Sequence, residues 1–291
     1  MRSENEMKNL IINFAKKDVR IRAVLLNGSR ANFNIKPDWL QDFDLVFIVD
    51  HLESFTSDHS WINIFGEKII FQLPDAMILD NRDVANEKAG FTYLILFKDG
   101  NRVDLTLFPK QKLISGFKPD SLTILWLDKD NLFSSIPESS DADYYLQKPT
   151  EELYRDNCNE FWWVSTNVGK GLFRKQIIYS KKILETSLRP VFIKIIEWKI
   201  GLENDFKVST GNAGRYFKKF LPEEFYQRLL LTYANFEIEE NWKALFIMTE
   251  IFQATSDFIG EELGFPVNKV EQQNTLAYLT NLHELQNQPG L

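Results

Sequence analysis

Two aspartates placed two residues apart on a predicted strand give the strongest chemical signal in the sequence. Asp42 and Asp44 open the segment DFDLVFIV, residues 42–49, which alternates polar and apolar residues and then becomes continuously apolar. That pattern predicts a central strand with one solvent-accessible end. Side chains two residues apart on a strand project from the same face, about 7 Å apart along the chain. Two like charges there cost stability unless a cation neutralises them, and carboxylate oxygens are the ligands that Mg²⁺ prefers.

A third acid, Asp104, interrupts a second apolar strand. Residues 91–97 and 102–108 are apolar runs that flank Lys98-Asp-Gly-Asn101, a connection typical of a hairpin. If the strand of Asp104 neighbours that of Asp42, the three carboxylates can bridge two cations about 4 Å apart, the spacing of two-metal phosphoryl-transfer sites. The competing interpretation is a solvated residue on the open face of an antiparallel sheet.

A glycine turn upstream has the features of a phosphate site. The predicted strand at residues 21–26 ends at Asn27, and Gly28, Ser29 and Arg30 follow. Exposed backbone N–H groups, a hydroxyl and a guanidinium are the donors that bind a polyphosphate. The sequence contains neither GxxxxGK[ST] nor GxGxxG, so a P-loop and a dinucleotide-binding fold both lack their motif.

The order of these pieces resembles the DNA-polymerase-β-type nucleotidyltransferase superfamily, in which a Gly-Ser turn precedes an Asp-x-Asp pair and a later aspartate on a strand. Four segments are also similar to the aminoglycoside 6-adenylyltransferases that modify streptomycin, and the similarity covers most of the chain. These segments are LLNGSRAN at 25–32, DFDLVF at 42–47, GNRVDLT at 100–106 and GNAGRYFKKF at 211–220.

The resemblance implies a transferase that moves AMP from ATP to a streptomycin hydroxyl, releases pyrophosphate and inactivates the antibiotic, a resistance activity. It implies that Gly28 and Ser29 contact phosphate and that Asp42 and Asp44 bind magnesium, with two ions expected. Asp104 matches the third carboxylate, which serves as metal ligand or general base. A carboxylate suits either role near a metal-polarised hydroxyl, and the sequence leaves both open.

Candidate residues in the second half are less specific. Lys170, Arg174 and Lys181 fall near one predicted helical face and could reach triphosphate oxygens, although a charged helical stripe is usually solvated surface. We retain Lys170 and Arg174 as candidate nucleotide-binding residues. The segment GNAGRYFKKF receives no role, because Gly and Lys also suit an ordinary connection between helices.

An acid and two tryptophans on a predicted helix are candidates for binding the antibiotic. Glu160, Trp162 and Trp163 could hold the guanidinium groups of streptomycin through charge and cation–π contacts. The competing interpretation, which is stronger for the tryptophans, is that they anchor the helix in the core. Glu160 and Trp163 are the candidate substrate-binding residues.

The elements that must position these residues predict an α+β protein. An amphipathic helix at residues 4–15 precedes the strands, and residues 50–90 read as an inserted helix and strand. A Ser-, Asp- and Pro-rich stretch at residues 134–149 marks a boundary. We expect a nucleotidyltransferase catalytic domain at 1–135, with a mixed β-sheet flanked by helices, and an all-helical bundle that binds substrate at 150–291. Helical patterns cover residues 153–168, 172–188, 190–200, 223–231 and 241–263.

The composition of the chain indicates which classes of partner the protein is expected to bind. The 291 residues carry 34 Lys plus Arg and 41 Asp plus Glu, a net charge of −7, which disfavours a nucleic-acid partner and favours a cationic small molecule. Cys158 is the only cysteine and the three histidines are scattered, so neither a disulfide nor a zinc site is expected. No leader or membrane segment is apparent, and we expect a cytoplasmic monomer that binds ATP and an aminoglycoside. The alternatives are transfer to a protein or tRNA acceptor, or a non-catalytic nucleotide-binding module.

Overall fold

The computed structural model describes residues 1–78, 89–113 and 117–288. The chain divides into two units, Met1–Asp143 and Tyr144–Leu291, and each is described by itself. Within the described ranges no helix is both long and apolar enough to cross a membrane.

A mixed six-stranded sheet forms the first unit. Its spatial order is β3-β4-β5-β2-β1-β6; β2 and β5 run parallel, whereas the other neighbouring strands run antiparallel. The strands are β1 (Ile21–Asn27), β2 (Phe43–Val49), β3 (Lys68–Gln72), β4 (Phe91–Phe97), β5 (Arg102–Pro109) and β6 (Ile124–Asp128). The two parallel strands therefore lie at the centre of the sheet.

Apolar alternation along the central strands assigns their residues to two faces. Residues 43, 45, 47 and 49 of β2 and residues 103, 105 and 107 of β5 belong to the larger core. Helix α1 (Glu4–Lys17) covers that face with Met7, Ile11 and Ala15, which are buried. The opposite face carries a smaller core that includes Val46, Ile48 and Phe108. Asp44 and Asp104 alternate with the residues of the larger core and so share the face of the smaller one.

The start of helix α1 follows a capping box. The Ser3 hydroxyl accepts a hydrogen bond from the Glu6 backbone N–H, and the Glu6 carboxylate accepts one from the Ser3 N–H at 2.7 Å. Glu4 and Glu6 lie in the first turn, and Lys16 and Lys17 in the last. This arrangement complements the helix dipole and satisfies two otherwise unpaired backbone donors.

The interval between β2 and β4 contains the predicted helix and strand only in part. Helix α2 (Glu53–Thr56) is a single turn, a 3₁₀ segment follows at Ser60–Phe65, and β3 is an edge strand with mostly exposed side chains. The predicted insertion continues to residue 90, and its residues 79–88 lie outside the described ranges.

The second unit consists of helices around one large core. Its longest helices pack their buried faces together, with Phe161 stacked on Phe252 at a ring-centroid distance of 3.6 Å. The helices are α3 (Glu151–Phe173), α4 (Ile177–Ile183), α5 (Arg189–Glu203), α6 (Phe217–Phe220), α7 (Glu223–Leu230), α8 (Ile238–Leu263) and α9 (Lys269–Gln286).

The α+β fold class is confirmed, one helical prediction needs correction, and one helix was not predicted. Residues 172–188 were expected to form one helix, but α3 ends at Phe173 and Lys175 adopts a positive φ of 58° before α4 begins. Residues 184–188 form a π-helical turn that leads into α5. Helix α9 was not predicted because Gln272 and Leu279 are its only buried residues, so its apolar periodicity is weak.

Candidate active site

The parallel pairing of the two central strands brings the first and second acidic segments together. Asp44 of β2 is the register partner of Asp104 of β5. Neighbouring strands lie about 4.8 Å apart, and register partners project from the same face of a sheet. The two carboxylates therefore stand side by side, although they are far apart in sequence.

Asp42 completes what we term the acidic face, the side chains of Asp42, Asp44 and Asp104. It lies one residue before β2 and two before Asp44, on the same face of the sheet. The side chains of Asp42 and Asp104 are 33% and 22% exposed. All three acids are thus partly withdrawn from water at one end of the two central strands.

The crowding of like charges perturbs these carboxyl groups. Burial, together with the negative charges of Asp104 and Asp42, raises the pKa of Asp44 to about 6. Burial is also the main cause of a raised pKa at Asp42, where the Arg102 charge opposes it. Desolvation and like charge both disfavour the ionised form. The acidic face is therefore a place where added positive charge lowers the free energy of the protein.

The Gly28 turn packs directly against this face. Gly28 has a φ of +70°, and a Cβ placed on it would lie 2.2 Å from Asp44 Oδ2. Both the backbone conformation and the space therefore require glycine. The Gly28–Ala31 segment is a 3₁₀ turn. Ser29, which is half-buried, belongs to this turn, and its carbonyl accepts a hydrogen bond from Gln41 Nε2 at 3.1 Å.

Arg30 braces the loop that leads to the acids. Its Nε donates to the Asp42 carbonyl at 3.1 Å, one Nη donates to the Gln41 carbonyl at 2.6 Å, and the other pairs with Glu4 at 2.9 Å. The guanidinium also lies 3.9 Å from the centroid of the Phe43 ring, and the side chain is only 7% exposed. These contacts already use the guanidinium that was expected to meet phosphate, so a phosphate contact would compete with them.

Arg102 is the cation at the acidic face. Its guanidinium donates to both carboxylate oxygens of Asp104, at 2.8 and 2.7 Å. Its Nε also lies 3.6 Å from Asp42 Oδ2. Such two-pronged pairing is the strongest geometry that arginine offers a carboxylate. The interaction raises the pKa of Arg102, so the residue stays charged.

The residues fit a divalent cation in type and position, but their oxygen atoms are not gathered around one. Three carboxylates on one face are hard oxygen donors of the kind that Mg²⁺ takes. In residues 1–78, 89–113 and 117–288, however, no group of three or more His, Cys, Asp or Glu side chains is arranged to hold a metal ion. Asp104 instead directs both oxygens to Arg102.

The candidate substrate residues all lie on or beside helix α3 of the second unit. Trp163 is 67% exposed, whereas Trp162 is buried at 2% and packs against Phe161 and Phe252. The core interpretation therefore holds for Trp162 and not for Trp163. Glu160 is exposed on the same helix.

The candidate basic residues of the second unit differ in their surroundings. Trp163 and Lys170 line one groove of about 500 Å³ between α3 and α9. Arg174 is exposed just beyond the end of α3. The Lys181 ammonium donates to the Ala234 carbonyl at 2.8 Å, so it already has a hydrogen-bond partner within its own unit. Phe217, within the GNAGRYFKKF segment, is buried.

Sequence reasoning overlooked Arg102, which contacts the acidic face, and Gln41, which holds the Gly28 turn beside it. Arg102 lies two residues before Asp104, and strand alternation was sufficient to place both on one face. Gln41 was overlooked because its role depends on the loop conformation: its side chain holds the Ser29 carbonyl, and its own carbonyl accepts from Arg30.

Comparison with known proteins gives consistent matches along most of the chain. The sequence pattern of the family described as streptomycin adenylyltransferase matches residues 1–282. An aminoglycoside 6-adenylyltransferase of Campylobacter jejuni is 42% identical over 265 residues, 91% of this chain and 91% of the relative. One of Bacillus subtilis (strain 168) is 37% identical over 266 residues, 91% of this chain and 93% of the relative. The crystal structure of an aminoglycoside 6-adenyltransferase from Bacillus subtilis aligns over 97% of this chain and 99% of its own, with 31% identity and a TM-score of 0.48.

Proposed function

The chain belongs to the streptomycin adenylyltransferase family, and from this membership we propose that it transfers AMP from ATP to a hydroxyl of streptomycin and releases pyrophosphate. It is an adenylyltransferase enzyme, and its relatives are named for aminoglycosides. Their names specify position 6, and we extend that acceptor position to this chain. The observation that carries the proposal is the register of Asp44 with Asp104 beside Gly28.

Asp42 and Asp44 are the proposed magnesium ligands, and Asp104 the third carboxylate. Two bound magnesium ions would polarise the acceptor hydroxyl and neutralise charge on the phosphates. Asp44 and Asp104 are register partners on the two central strands, so the strands fix their spacing, and Arg30 holds the loop residue Asp42 beside them. Rigid elements position reacting groups better than loops do.

The reaction itself forms one bond and breaks one. The acceptor oxygen bonds to the α-phosphorus of ATP, the bond from that phosphorus to the oxygen bridging to the β-phosphorus breaks, and pyrophosphate leaves with the electron pair. Asp104 is proposed to lie next to the acceptor hydroxyl. The proton of that hydroxyl passes to the Asp104 carboxylate or to solvent. An ionised carboxylate would be suited to accept this proton, since a bound magnesium ion would lower the pKa of the hydroxyl.

Gly28 and Ser29 are the proposed contacts for the triphosphate. The absence of a side chain at Gly28 lets the backbone approach Asp44 closely, and a triphosphate held near the magnesium ligands would meet this turn. Backbone N–H groups in a tight turn are suitable donors to phosphate. We propose that Arg30 acts mainly by holding the loop of Asp42 in place, since its donors are engaged there.

For the two halves of the chain we propose the same roles that the sequence predicts. We propose that residues 1–135 form the catalytic domain and that residues 150–291 bind the antibiotic through Glu160 and Trp163. An exposed indole and a carboxylate on one helix suit a ligand that carries guanidinium groups. Lys170 and Arg174 remain the proposed contacts of this half to nucleotide, and the enzyme is proposed to act as a monomer.

The test is a product assay with several acceptors. The purified protein is incubated with ATP, Mg²⁺ and streptomycin, and both antibiotic mass and pyrophosphate are followed. We expect a mass gain of one adenylyl group and an equal amount of pyrophosphate, with NMR of the product locating the new ester. Labelling of protein or RNA from a lysate, with streptomycin unchanged, would instead favour a macromolecular acceptor.

A further inference from the structure

Arg102 has the position and the contacts of a built-in counterion. Its guanidinium donates to both oxygens of Asp104 and lies 3.6 Å from Asp42. Its ion pairs within the described residues are with these two acids alone. The positive charge thus lies among the carboxylates where a divalent cation would have to bind.

A comparison with Arg30 shows that the two arginines differ in kind. Arg30 is 7% exposed and donates to two backbone carbonyls, which cannot move without the loop. The Arg102 side chain is 45% exposed and donates to side-chain oxygens. Arg102 can therefore turn toward water without leaving a cavity or breaking a backbone contact.

The orientation of the carboxylate oxygens also agrees with a role for Arg102 as their counterion. Among the described residues no cluster of three or more His, Cys, Asp or Glu side chains is arranged to hold a metal ion, although three carboxylates share one face. Each oxygen of Asp104 accepts a hydrogen bond from Arg102, so an ion bound to this carboxylate would lie close to the positive guanidinium and be repelled by it.

We propose that Arg102 holds the acidic face together in the metal-free protein and that a divalent cation binds by displacing it. The proposal deepens the metal-dependent function above and rests on it. Arg102 is then a positioning residue: it limits the repulsion among the three acids until the ion arrives, and it lowers the apparent affinity for that ion. Nucleotide and metal together would release the Asp104 carboxylate for the acceptor.

The test is direct binding of Mn²⁺ to the full chain without nucleotide, measured from the loss of the EPR signal of free Mn²⁺. Arg102→Met removes the charge and keeps an unbranched side chain. We expect it to bind Mn²⁺ about tenfold more tightly than the wild type, because a nearby positive charge no longer opposes the ion. Arg102→Lys keeps the charge and should stay close to the wild-type affinity.

Arg22→Met is the matched control. Arg22 lies on β1 and pairs with Asp130, which follows β6, so its removal should leave the Mn²⁺ affinity unchanged. Melting temperatures supply a second readout: metal-free Arg102→Met should melt below the wild type, and Mn²⁺ should raise its melting temperature by more.

The outcomes separate this inference from the proposed function. Equal Mn²⁺ affinities for the wild type and Arg102→Met, or weaker binding by the variant, would overturn the displacement of Arg102 and leave the catalytic proposal standing. Absence of Mn²⁺ binding by every variant, also with ATP added, would overturn both.

Discussion

At the scale of single residues, the acidic face places catalytic and structural requirements in opposition. Asp44 is withdrawn from water beside two other carboxylates, and its pKa is raised to about 6. Catalysis in this account needs the ionised form, whereas burial and the neighbouring charges in the metal-free fold shift the equilibrium toward the protonated form. Such a conflict is typical of functional sites, where perturbed carboxyl groups cluster.

The conflict predicts that Asp44→Asn stabilises the metal-free protein at neutral pH. Because the folded-state pKa lies above the usual 3.8, the wild type loses stability as the pH rises from about 4 to about 6. The asparagine variant avoids this loss, and we expect a gain of about 1 kcal/mol after allowance for solvent screening. Urea unfolding with EDTA at pH 7 and pH 3.5 measures it.

A variant that should change the stability in the opposite direction serves as the control for that measurement. Hydrogen bonds from the Arg2 guanidinium hold the pKa of Asp99 well below its usual range, so Asp99→Asn should destabilise the protein at pH 7. The interpretation fails if Asp44→Asn also destabilises it there.

Gly28 allows a paired test with Gly264. Both have a φ of +70°, but a Cβ on Gly28 would clash with Asp44 Oδ2, whereas nothing lies within 4 Å of a Cβ on Gly264. Each alanine variant should lose about 1 kcal/mol of stability from backbone strain. Gly28→Ala should in addition lose at least about tenfold in kcat, because a shift of about 1 Å in a catalytic group costs that much or more.

Steady-state kinetics of the two glycine variants measure this difference in kcat. Equal turnover by Gly28→Ala and Gly264→Ala would show that the close approach of the turn to Asp44 has no catalytic role.

At the scale of elements, the sequence predicted those strands that bury a continuous apolar face. Strands β1, β2, β4 and β5 were recognised from apolar runs whose core-facing residues are mostly buried. The order of the strands was not predictable from local pattern, because the parallel pairing of β2 with β5 joins residues about 60 positions apart. Helix α9 was missed because it buries only Gln272 and Leu279.

The loop before β2 supports a prediction about Arg30. If Arg30 is a brace, Arg30→Met should cost about 2 kcal/mol of stability, since buried charge-assisted hydrogen bonds to two carbonyls are lost. It should also lower kcat, because Asp42 shifts. Chemical denaturation and initial rates measure both effects.

Glu4→Gln is the matched control for the brace. It removes the half-exposed partner of Arg30 and leaves the carbonyl contacts intact, so stability and kcat should change little. A raised KM for ATP with unchanged stability in Arg30→Met would instead support the phosphate contact that the sequence suggested.

At the scale of the whole molecule, the net charge of −7 predicts a salt dependence of antibiotic capture. An acidic protein attracts a cationic ligand over about 10 Å at low ionic strength. We expect kcat/KM for streptomycin to fall several-fold between about 50 and about 500 mM NaCl, with kcat at saturating antibiotic nearly unchanged. A salt-independent kcat/KM would exclude this attraction.

Composition and motif order were sufficient to predict the enzyme class. They were not sufficient to predict the contacts of the site. The family resemblance rested on four short segments, and it agrees with relatives 36% to 42% identical over most of the chain. The contacts of Arg30 and Arg102 were beyond it, because they depend on how the loop and the strand ends are arranged in space.

The most direct test of the central claim is the adenylylation of streptomycin by Asp44→Asn beside Asp50→Asn. Asp50 directly follows the opposite end of β2, so the control removes a carboxylate from the same stretch of chain but not from the acidic face. With ATP and Mg²⁺, we predict that Asp50→Asn forms the streptomycin–AMP adduct at near the wild-type rate and that Asp44→Asn forms none that mass spectrometry detects. Adduct formation by Asp44→Asn at the rate of Asp50→Asn would contradict the account.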